Sequence, residues 1–236
     1  MTSLIAGLGA TIQRQSITGQ AAAAIREAIL SGQIPPGTPL REAALASGLG
    51  VSRNTIREAA RILEAEGLVR YQMNRGVVVT AITADDVRDI YAARCAAEMA
   101  GVDALTASRD SAIYRKLAGL VERIEDAFAR GDVARVLDSD RLFHATLVAA
   151  AGSPRLSRFH AQLQQEQRLA LTLAEHSSRQ LGRTADDHRD LLEALRGSPA
   201  QARAQLAAHL QAGAAELQRL RDLLAQRNDR QAADAR

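Results

Sequence analysis

Four side chains in the second half of the sequence have the types and spacing to bind a metal ion. Asp140 and His144 are four residues apart, so they share one face of a predicted helix. His188 and His209 each fall on an apolar stripe of a predicted helix. The stripe residues are Leu191, Leu192 and Leu195 for the first and Leu206, Gly213 and Leu220 for the second. All four polar side chains are therefore expected in a helical interior, where carboxylates and imidazoles are costly unless paired or metal-bound.

One carboxylate and three imidazoles can together bind Zn²⁺, Ni²⁺ or Mn²⁺, and ligand type alone does not choose among these ions. The spacing leaves a second interpretation open, in which each histidine is a separate core residue with its own local hydrogen bond. His160 and His176 lie off the two stripes.

A second group of residues has the chemistry of a DNA-reading helix that begins at Ser52, a residue suited to capping a helix N-terminus. Its apolar side chains fall on one face, namely Ile56, Ala59, Ala60 and Leu63. The opposite face has Arg53, Asn54, Arg57 and Arg61. The alternative is an ordinary amphipathic helix with a solvated arginine face.

A recognition helix enters the major groove near its N-terminus. The side chains best placed to reach base edges are Arg53, Asn54, Thr55 and Arg57. Arginine can pair bidentately with guanine and asparagine with adenine. Arg41 and Arg61 lie further out and are expected on phosphates, and Arg75 could reach the backbone or a minor groove.

The elements around this helix predict a winged helix-turn-helix over residues 16–80, with three helices and a β-hairpin wing. The predicted elements are a helix over Ile17 to Leu30, one over Glu42 to Ser47 ended by Gly48, the helix from Ser52, and strands over Leu68 to Gln72 and Val77 to Thr80. Asn74, Arg75 and Gly76 form the hairpin turn. Residues 1–15 show no sustained period and are expected to be a flexible leader.

Beyond a boundary at Thr80 to Thr83, the sequence predicts an all-α domain over residues 84–226, for which the resemblance described below implies effector binding and dimerisation. Its helical segments are 84–107, 110–130, 132–151, 154–178, 184–196 and 199–226, with one of the breaks at Gly182. Residues 227–236 are expected to form a polar tail. The fold class is mainly α, with a bundle of six or seven helices after the winged domain.

Composition narrows the class of protein. Residues 1–80 contain 8 basic and 5 acidic side chains and residues 81–236 contain 22 of each, so the net charge of +3 lies on the candidate DNA-reading segment. The single Cys95 suits a reducing cytosol. The sequence has no long uncharged apolar run of the kind that forms a signal peptide or a membrane span, so a cytoplasmic protein is expected.

Residues 25 to 80 resemble the GntR family of bacterial transcription regulators. The family's typical SRTPVREAL is similar to SRNTIREAA over Ser52 to Ala60, with Thr55 in place of the usual proline and Asn54 where threonine is common. The resemblance implies DNA contacts by Arg41, Arg53, Asn54, Thr55 and Arg57, with Gly76 in the wing close to the duplex.

Residues 84 to 222 resemble the FCD effector domain of the FadR-type branch of that family. Matching pieces are RCAAE from Arg94, DSDRLFHATL from Asp138, DDHRDLLEAL from Asp186 and ARAQLAAHL from Ala202. The resemblance implies the metal ligands Asp140, His144, His188 and His209, with zinc expected first and nickel or manganese as alternatives. Six helices suggest the VanR-like subgroup.

The resemblance implies a DNA-binding regulator, a repressor of a metabolic operon, that binds a palindromic operator as a homodimer. A small organic acid at the metal would control it, with Arg94 pairing with the carboxylate. Arg168 is a second candidate, for which a solvated or dimer-contact arginine is the alternative. Two other classes stay open from the residues: a metal-dependent enzyme of the helical domain, and a helical scaffold with structural histidines.

Overall fold

The computed structural model describes residues 16–171 and 178–234, and the chain divides into two units between Ala81 and Ile82. The leader expected over residues 1–15 lies outside the described residues, as does His176.

The N-terminal unit is a winged helix-turn-helix, as the sequence predicted. Its elements are α1 (Ile17–Leu30), α2 (Glu42–Leu49), α3 (Arg53–Ala65), β1 (Val69–Gln72) and β2 (Gly76–Val79). The two strands pair antiparallel, with Val69 opposite Val79 and Gln72 opposite Gly76. The turn between them is the wing.

Helix α1 supports α3 from behind through the apolar faces of both helices. The buried side chains are Ala21, Ala22, Ile25, Ile29 and Leu30 on α1, and Ile56, Ala59, Ala60 and Leu63 on α3. Arg26 of α1 also pairs bidentately with Glu66, with Nε 2.7 Å from Oε2 and Nη2 2.6 Å from Oε1. These contacts fix the orientation of α3 in its unit.

The end of α2 differs from the prediction. The helix continues through Gly48 to Leu49, and Gly50 caps it with a φ of 66°. Only Gly50 adopts the left-handed conformation that favours glycine, whereas Gly48 stays helical at a cost of about 0.5–1 kcal/mol relative to alanine. With two glycines so close together, sequence alone could not identify which one ends the helix.

The second unit is all-α over the residues described. Its helices are α4 (Ala84–Ser108), α5 (Ser111–Ala129), α6 (Val133–Ala149), α7 (Pro154–Leu171), α8 (Ser178–Arg196) and α9 (Pro199–Asp234). Helix α4 starts at a capping box in which Thr83 and Asp86 satisfy each other's backbone N–H groups. The core is apolar and draws on all six helices, for example through Leu105, Phe143 and Leu191.

Two predicted boundaries in this unit are wrong. Gly182 does not break a helix, because α8 begins at Ser178 and passes through it; a single glycine costs only about 1 kcal/mol relative to alanine, which does not by itself end a helix. Helix α9 extends to Asp234, so most of the tail expected over residues 227–236 is helical. Its alanine, glutamine and arginine residues are helix formers, which the search for an apolar stripe overlooked.

None of the helices in the described ranges is both long and apolar enough to span a membrane.

Helices α4 and α6 approach closely at Gly101. A Cβ at this position would lie 2.1 Å from the backbone oxygen of Leu147. Replacing Gly101 by alanine is therefore expected to lower the free energy of unfolding by at least about 1–3 kcal/mol, measured by chemical denaturation. Gly119, a helical glycine with no atom within 4 Å of such a Cβ, is the control. Gly119→Ala should raise the stability by about 0.5–1 kcal/mol, and equal effects of the two substitutions would contradict the prediction.

Candidate functional site

The start of α3 is fixed by Ser52. Its Oγ accepts a hydrogen bond from the Thr55 backbone N–H at 3.1 Å and lies 2.8 Å from the Thr55 Oγ1. This cap uses one of the free N–H groups of the first helical turn. Ser52 therefore sets the position of the residues that follow it, and Arg53 and Asn54 project from the exposed first turn.

Most of the predicted DNA-contacting side chains are exposed, and their apolar neighbours on α3 form the buried face that the sequence predicted. The exposed set comprises Arg41, Ser52, Arg53, Asn54, Arg57 and Arg75, and the half-buried set Thr55 and Gly76. Arg57 forms an ion pair with Glu42 of α2, with Nε 2.8 Å from Oε2. The first turn of α3 thus presents cationic and amide groups to solvent.

The wing turns at two residues in the left-handed conformation, Asn74 with a φ of 65° and Gly76 with a φ of 73°. Between them, Arg75 donates from Nη1 to the Gln72 Oε1 at 3.1 Å and from Nη2 to the Gly37 carbonyl at 3.2 Å. Arg75 is exposed at the tip but held by neutral acceptors, so its positive charge is not neutralised there.

In the second unit, three imidazoles meet at their Nε2 atoms. The Nε2 of His144 lies 3.3 Å from that of His188 and 3.2 Å from that of His209. One candidate ligand atom from each ring lies within 4.8 Å of the others. The Asp140 Oδ1 is 3.2 Å from the His188 Nε2 and 3.8 Å from the His144 Nε2. The four residues singled out from the sequence therefore converge.

This donor set fits a divalent cation. A ring nitrogen can share a proton with only one neighbour at a time, so three Nε2 atoms this close cannot all be satisfied by one another. A cation among them would accept a lone pair from each ring and would also suit the Asp140 carboxylate. The buried Nδ1 of His209 has no hydrogen-bond partner among the described residues, so the Nε2 side of this ring carries its polar contact with the cluster.

Glu98 of α4 orients one of these rings. Its Oε2 lies 2.6 Å from the His144 Nδ1, and its Oε1 lies 3.0 Å from the His160 Nε2. An ionised carboxylate is an acceptor only, so His144 donates from Nδ1 and keeps the lone pair of Nε2 for the cluster. A carboxylate behind a metal-binding histidine commonly has this role.

Neighbouring charges and hydrogen bonds keep Glu98 ionised despite its burial. Burial raises the pKa of this carboxyl, but His144, Arg94 and the hydrogen bond from His160 lower it by more, so the pKa lies well below its usual range. Arg94 donates from Nε to the Glu98 Oε1 at 3.0 Å. Both side chains of this ion pair are almost completely buried.

For three of the four candidate ligands, the pKa is shifted toward the form that binds a metal. Burial raises the pKa of Asp140, yet the hydrogen bond with His188 and electrostatic attraction to His144, His188 and Arg94 bring it below its usual value. Burial lowers the pKa of His144, and burial next to two other imidazoles holds the pKa of His209 well below its usual range. Neutral imidazoles and an ionised carboxylate are the states required of metal ligands.

Arg94 is occupied by partners within the bundle. Besides Glu98, its Nη1 donates to the Gln167 Oε1 at 2.6 Å, and its guanidinium lies 5.1 Å from the centre of the Tyr91 ring. Gln167 in turn donates to the Tyr91 hydroxyl, whose pKa is raised to about 12, mainly by burial. Arg168, the second arginine predicted to contact an effector, is exposed on α7.

The sequence did not identify Glu98 and His160 as part of this site. His160 lies off the stripes used to find the other histidines, although it is almost fully buried on α7. Glu98 had one usable signal, its position four residues after Arg94, which is typical of an ion pair on a helix. Nothing in that spacing shows that the pair is buried.

Comparison with known proteins gives two family matches. The family described as "Bacterial regulatory proteins, gntR family" matches residues 17–79, and the FCD domain matches residues 89–212. The two matches cover the recognition helix and the histidine cluster respectively.

Individual relatives extend the match over both units. The chain is 30% identical over 203 residues to a protein of Paenarthrobacter nicotinovorans named "Probable D-xylose utilization operon transcriptional repressor", covering 85% of this chain and 88% of that protein. It is 31% identical over 137 residues to the gluconate operon transcriptional repressor of Bacillus licheniformis, covering 58% of this chain and 56% of that protein. The crystal structure of a GntR transcriptional regulator from Rhodococcus sp. RHA1 matches with a TM-score of 0.73 and 30% identity, covering 85% of this chain and 96% of that one.

Proposed function

Because this chain belongs to the GntR family of bacterial regulatory proteins and carries an FCD domain, we propose that it is a metal-dependent, acid-responsive repressor. Its family makes it a DNA-binding transcriptional regulator and not an enzyme. The protein acts in the cytoplasm as a homodimer that binds a palindromic operator of a metabolic operon. Its binding to DNA is controlled by a small carboxylate.

The observation that carries the proposal is the convergence of three imidazole Nε2 atoms and the Asp140 carboxylate inside the bundle. Asp140, His144, His188 and His209 would hold the ion, with zinc expected first and nickel or manganese possible. A bound divalent ion supplies coordination positions for a carboxylate. The chain's own contribution is to hold these ligands in their binding forms, with Glu98 orienting His144.

The effector class follows from the same chemistry. A carboxylate matches an ion with open positions, and Arg94 and Arg168 are proposed as cationic contacts for it. The Arg94 guanidinium already donates hydrogen bonds to Glu98 and Gln167 within the bundle, so an acid that contacts Arg94 must use its remaining N–H donors. The name of one relative links it to gluconate, itself a carboxylate.

The proposed control couples two equilibria. Effector binding favours one arrangement of the helical bundle, and that arrangement changes the spacing or orientation of the two reading helices in a dimer. Reading of a palindrome by a two-fold dimer depends on that spacing. The contacts proposed to carry the reading are Arg41, Ser52, Arg53, Asn54, Thr55, Arg57, Arg75 and Gly76.

Two measurements test this function. Elemental analysis with native mass spectrometry of the purified protein should give stoichiometric divalent metal and a dimer mass. Titration with genomic fragments and scrambled duplexes at several salt concentrations should give sequence preference and an affinity that falls steeply with salt. A protein that prefers no fragment over scrambled duplex, with or without added carboxylic acids, would sink the proposal.

Replacing Arg57 by alanine is expected to weaken binding to the preferred fragment by about 1–3 kcal/mol and to relax discrimination at one base position. The reason is the loss of a bidentate contact to a base edge. Binding titrations against a set of single-base variants measure the effect. Arg115→Ala, which removes an exposed arginine of α5, is the control. If Arg57→Ala changes only the salt dependence, Arg57 contacts phosphate instead.

A further inference from the structure

The ion pair between Arg57 and Glu42 spans the turn of the helix-turn-helix. Glu42 is the first residue of α2, and Arg57 lies in the second turn of α3. The Arg57 Nε donates to the Glu42 Oε2 at 2.8 Å. Its side chain remains 60% exposed and that of Glu42 32% exposed, so the pair lies on the surface that the first turn of α3 presents.

The geometry of the contact leaves the outer edge of the guanidinium available. Arginine has five N–H donors in a planar fork, and only the Nε donor is used in the contact with Glu42. The two Nη groups retain the parallel donors that match the O6 and N7 atoms of guanine. A guanidinium fastened at Nε is therefore restricted to end-on pairing with a base.

The pair has little value as a stabilising contact. Ion pairs between exposed side chains commonly add little or nothing to stability, since solvent screens them and both side chains lose rotamer freedom. A carboxylate beside a DNA-reading arginine also repels phosphates and weakens nonspecific binding. We therefore expect the ion pair to contribute to DNA recognition by restricting the Arg57 side chain in the free protein. This restriction reduces the conformational entropy that Arg57 loses when its contact with a base forms.

We propose that Glu42 is a positioning residue that sets the specificity of Arg57, an inference that rests on the proposed DNA-reading function. Glu42 holds the guanidinium by Nε, directs its two Nη groups toward a guanine edge and disfavours the contacts that Arg57 would otherwise make with any phosphate. Specific binding then gains relative to nonspecific binding, although the carboxylate itself contributes only repulsion toward DNA.

The test compares Glu42→Gln with Glu58→Gln in the full-length protein. Glu58 also pairs with an arginine of α3, because its Oε1 lies 2.5 Å from the Arg61 Nη1. Both substitutions remove one negative charge from the same unit, but only the first replaces the charged acceptor of Arg57 by a weaker, neutral one. The probes are a duplex enriched by the wild-type protein from a randomised pool and a scrambled duplex of equal length, each titrated at several salt concentrations.

For Glu42→Gln, the ratio of affinities for the enriched and scrambled duplexes should fall about tenfold, within the discrimination that one bidentate arginine–guanine pair supplies. Glu58→Gln should strengthen binding to both duplexes by a similar factor and leave the ratio unchanged. Glu42→Asp keeps the charge and the favourable interaction with the α2 dipole but shortens the reach, so it should lower the ratio as well. Thermal unfolding of each variant establishes that the winged unit is intact.

Two outcomes would overturn the inference. One is an unchanged ratio in Glu42→Gln. The other is a fall in the ratio that is equally large when Glu42→Gln is added to Arg57→Ala, because Glu42 would then act without Arg57. A wild-type protein that enriches no duplex would instead contradict the proposed function itself.

Discussion

Replacing His188 and His209 together by alanine is expected to abolish stoichiometric metal binding. The double substitution removes two of the three imidazoles whose Nε2 atoms meet and leaves only His144 and Asp140. Loss of a partner that merely orients a ligand lowers metal affinity roughly 10–100-fold, and loss of two ligands must exceed that. Elemental analysis and native mass spectrometry of the purified variant measure the effect directly.

A graded pair of substitutions tests the carboxylate of the same site. Asp140→Asn should reduce metal affinity, because an amide oxygen is a weaker ligand than a carboxylate. Asp138→Asn changes the neighbouring carboxyl, which is exposed and paired with Arg141, and should leave the metal content as in the wild type.

Wild-type metal content in a folded His188→Ala, His209→Ala variant would mean that the histidines are structural core residues.

Replacing Glu98 by glutamine is expected to have the largest effect on stability. The change keeps the shape of the side chain but leaves the Arg94 guanidinium buried without its counter-charge. Breaking a buried ion pair in this way costs about 3–5 kcal/mol. Chemical denaturation should show that loss, whereas Glu125→Gln, which disrupts an exposed pair with Arg189, should change stability by only about 0–1 kcal/mol.

The same substitution should lower metal affinity roughly 10–100-fold, since the His144 ring loses the acceptor that fixes its tautomer. Adding Arg94→Met removes the unpaired charge and should restore part of the stability without restoring the metal affinity. This second variant separates the two roles of Glu98. Recovery of both properties together would mean that Glu98 acts only through Arg94 and does not orient His144.

The sequence predicted those features that depend on local periodicity. The 3.6-residue repeat separated the buried face of α3, including Ile56 and Leu63, from the exposed arginines. The same repeat brought Asp140, His144, His188 and His209 to the helical interior, where the structure places their ligand atoms together. Each of these expectations needed only the geometry of one helix.

What the sequence missed depends on contacts between helices. Glu98 and His160 are 62 residues apart along the chain and are joined by a hydrogen bond between α4 and α7. No periodic pattern shows which of the many glutamates is buried among imidazoles. The misplaced helix ends at Gly48 and Gly182 have a similar origin, because glycine permits a stop without requiring one.

The close approach at Gly101 has a mechanical consequence for the proposed effector response. Backbone contact with Leu147 and the hydrogen bond that His144 donates to Glu98 join the same two helices, α4 and α6, at two positions along their length. Sliding or rotation of α4 against α6 would disrupt both contacts, so we expect these two helices to keep their relative position. Under the proposed function, we expect effector binding to displace α8 and α9, each of which supplies a single histidine to the cluster.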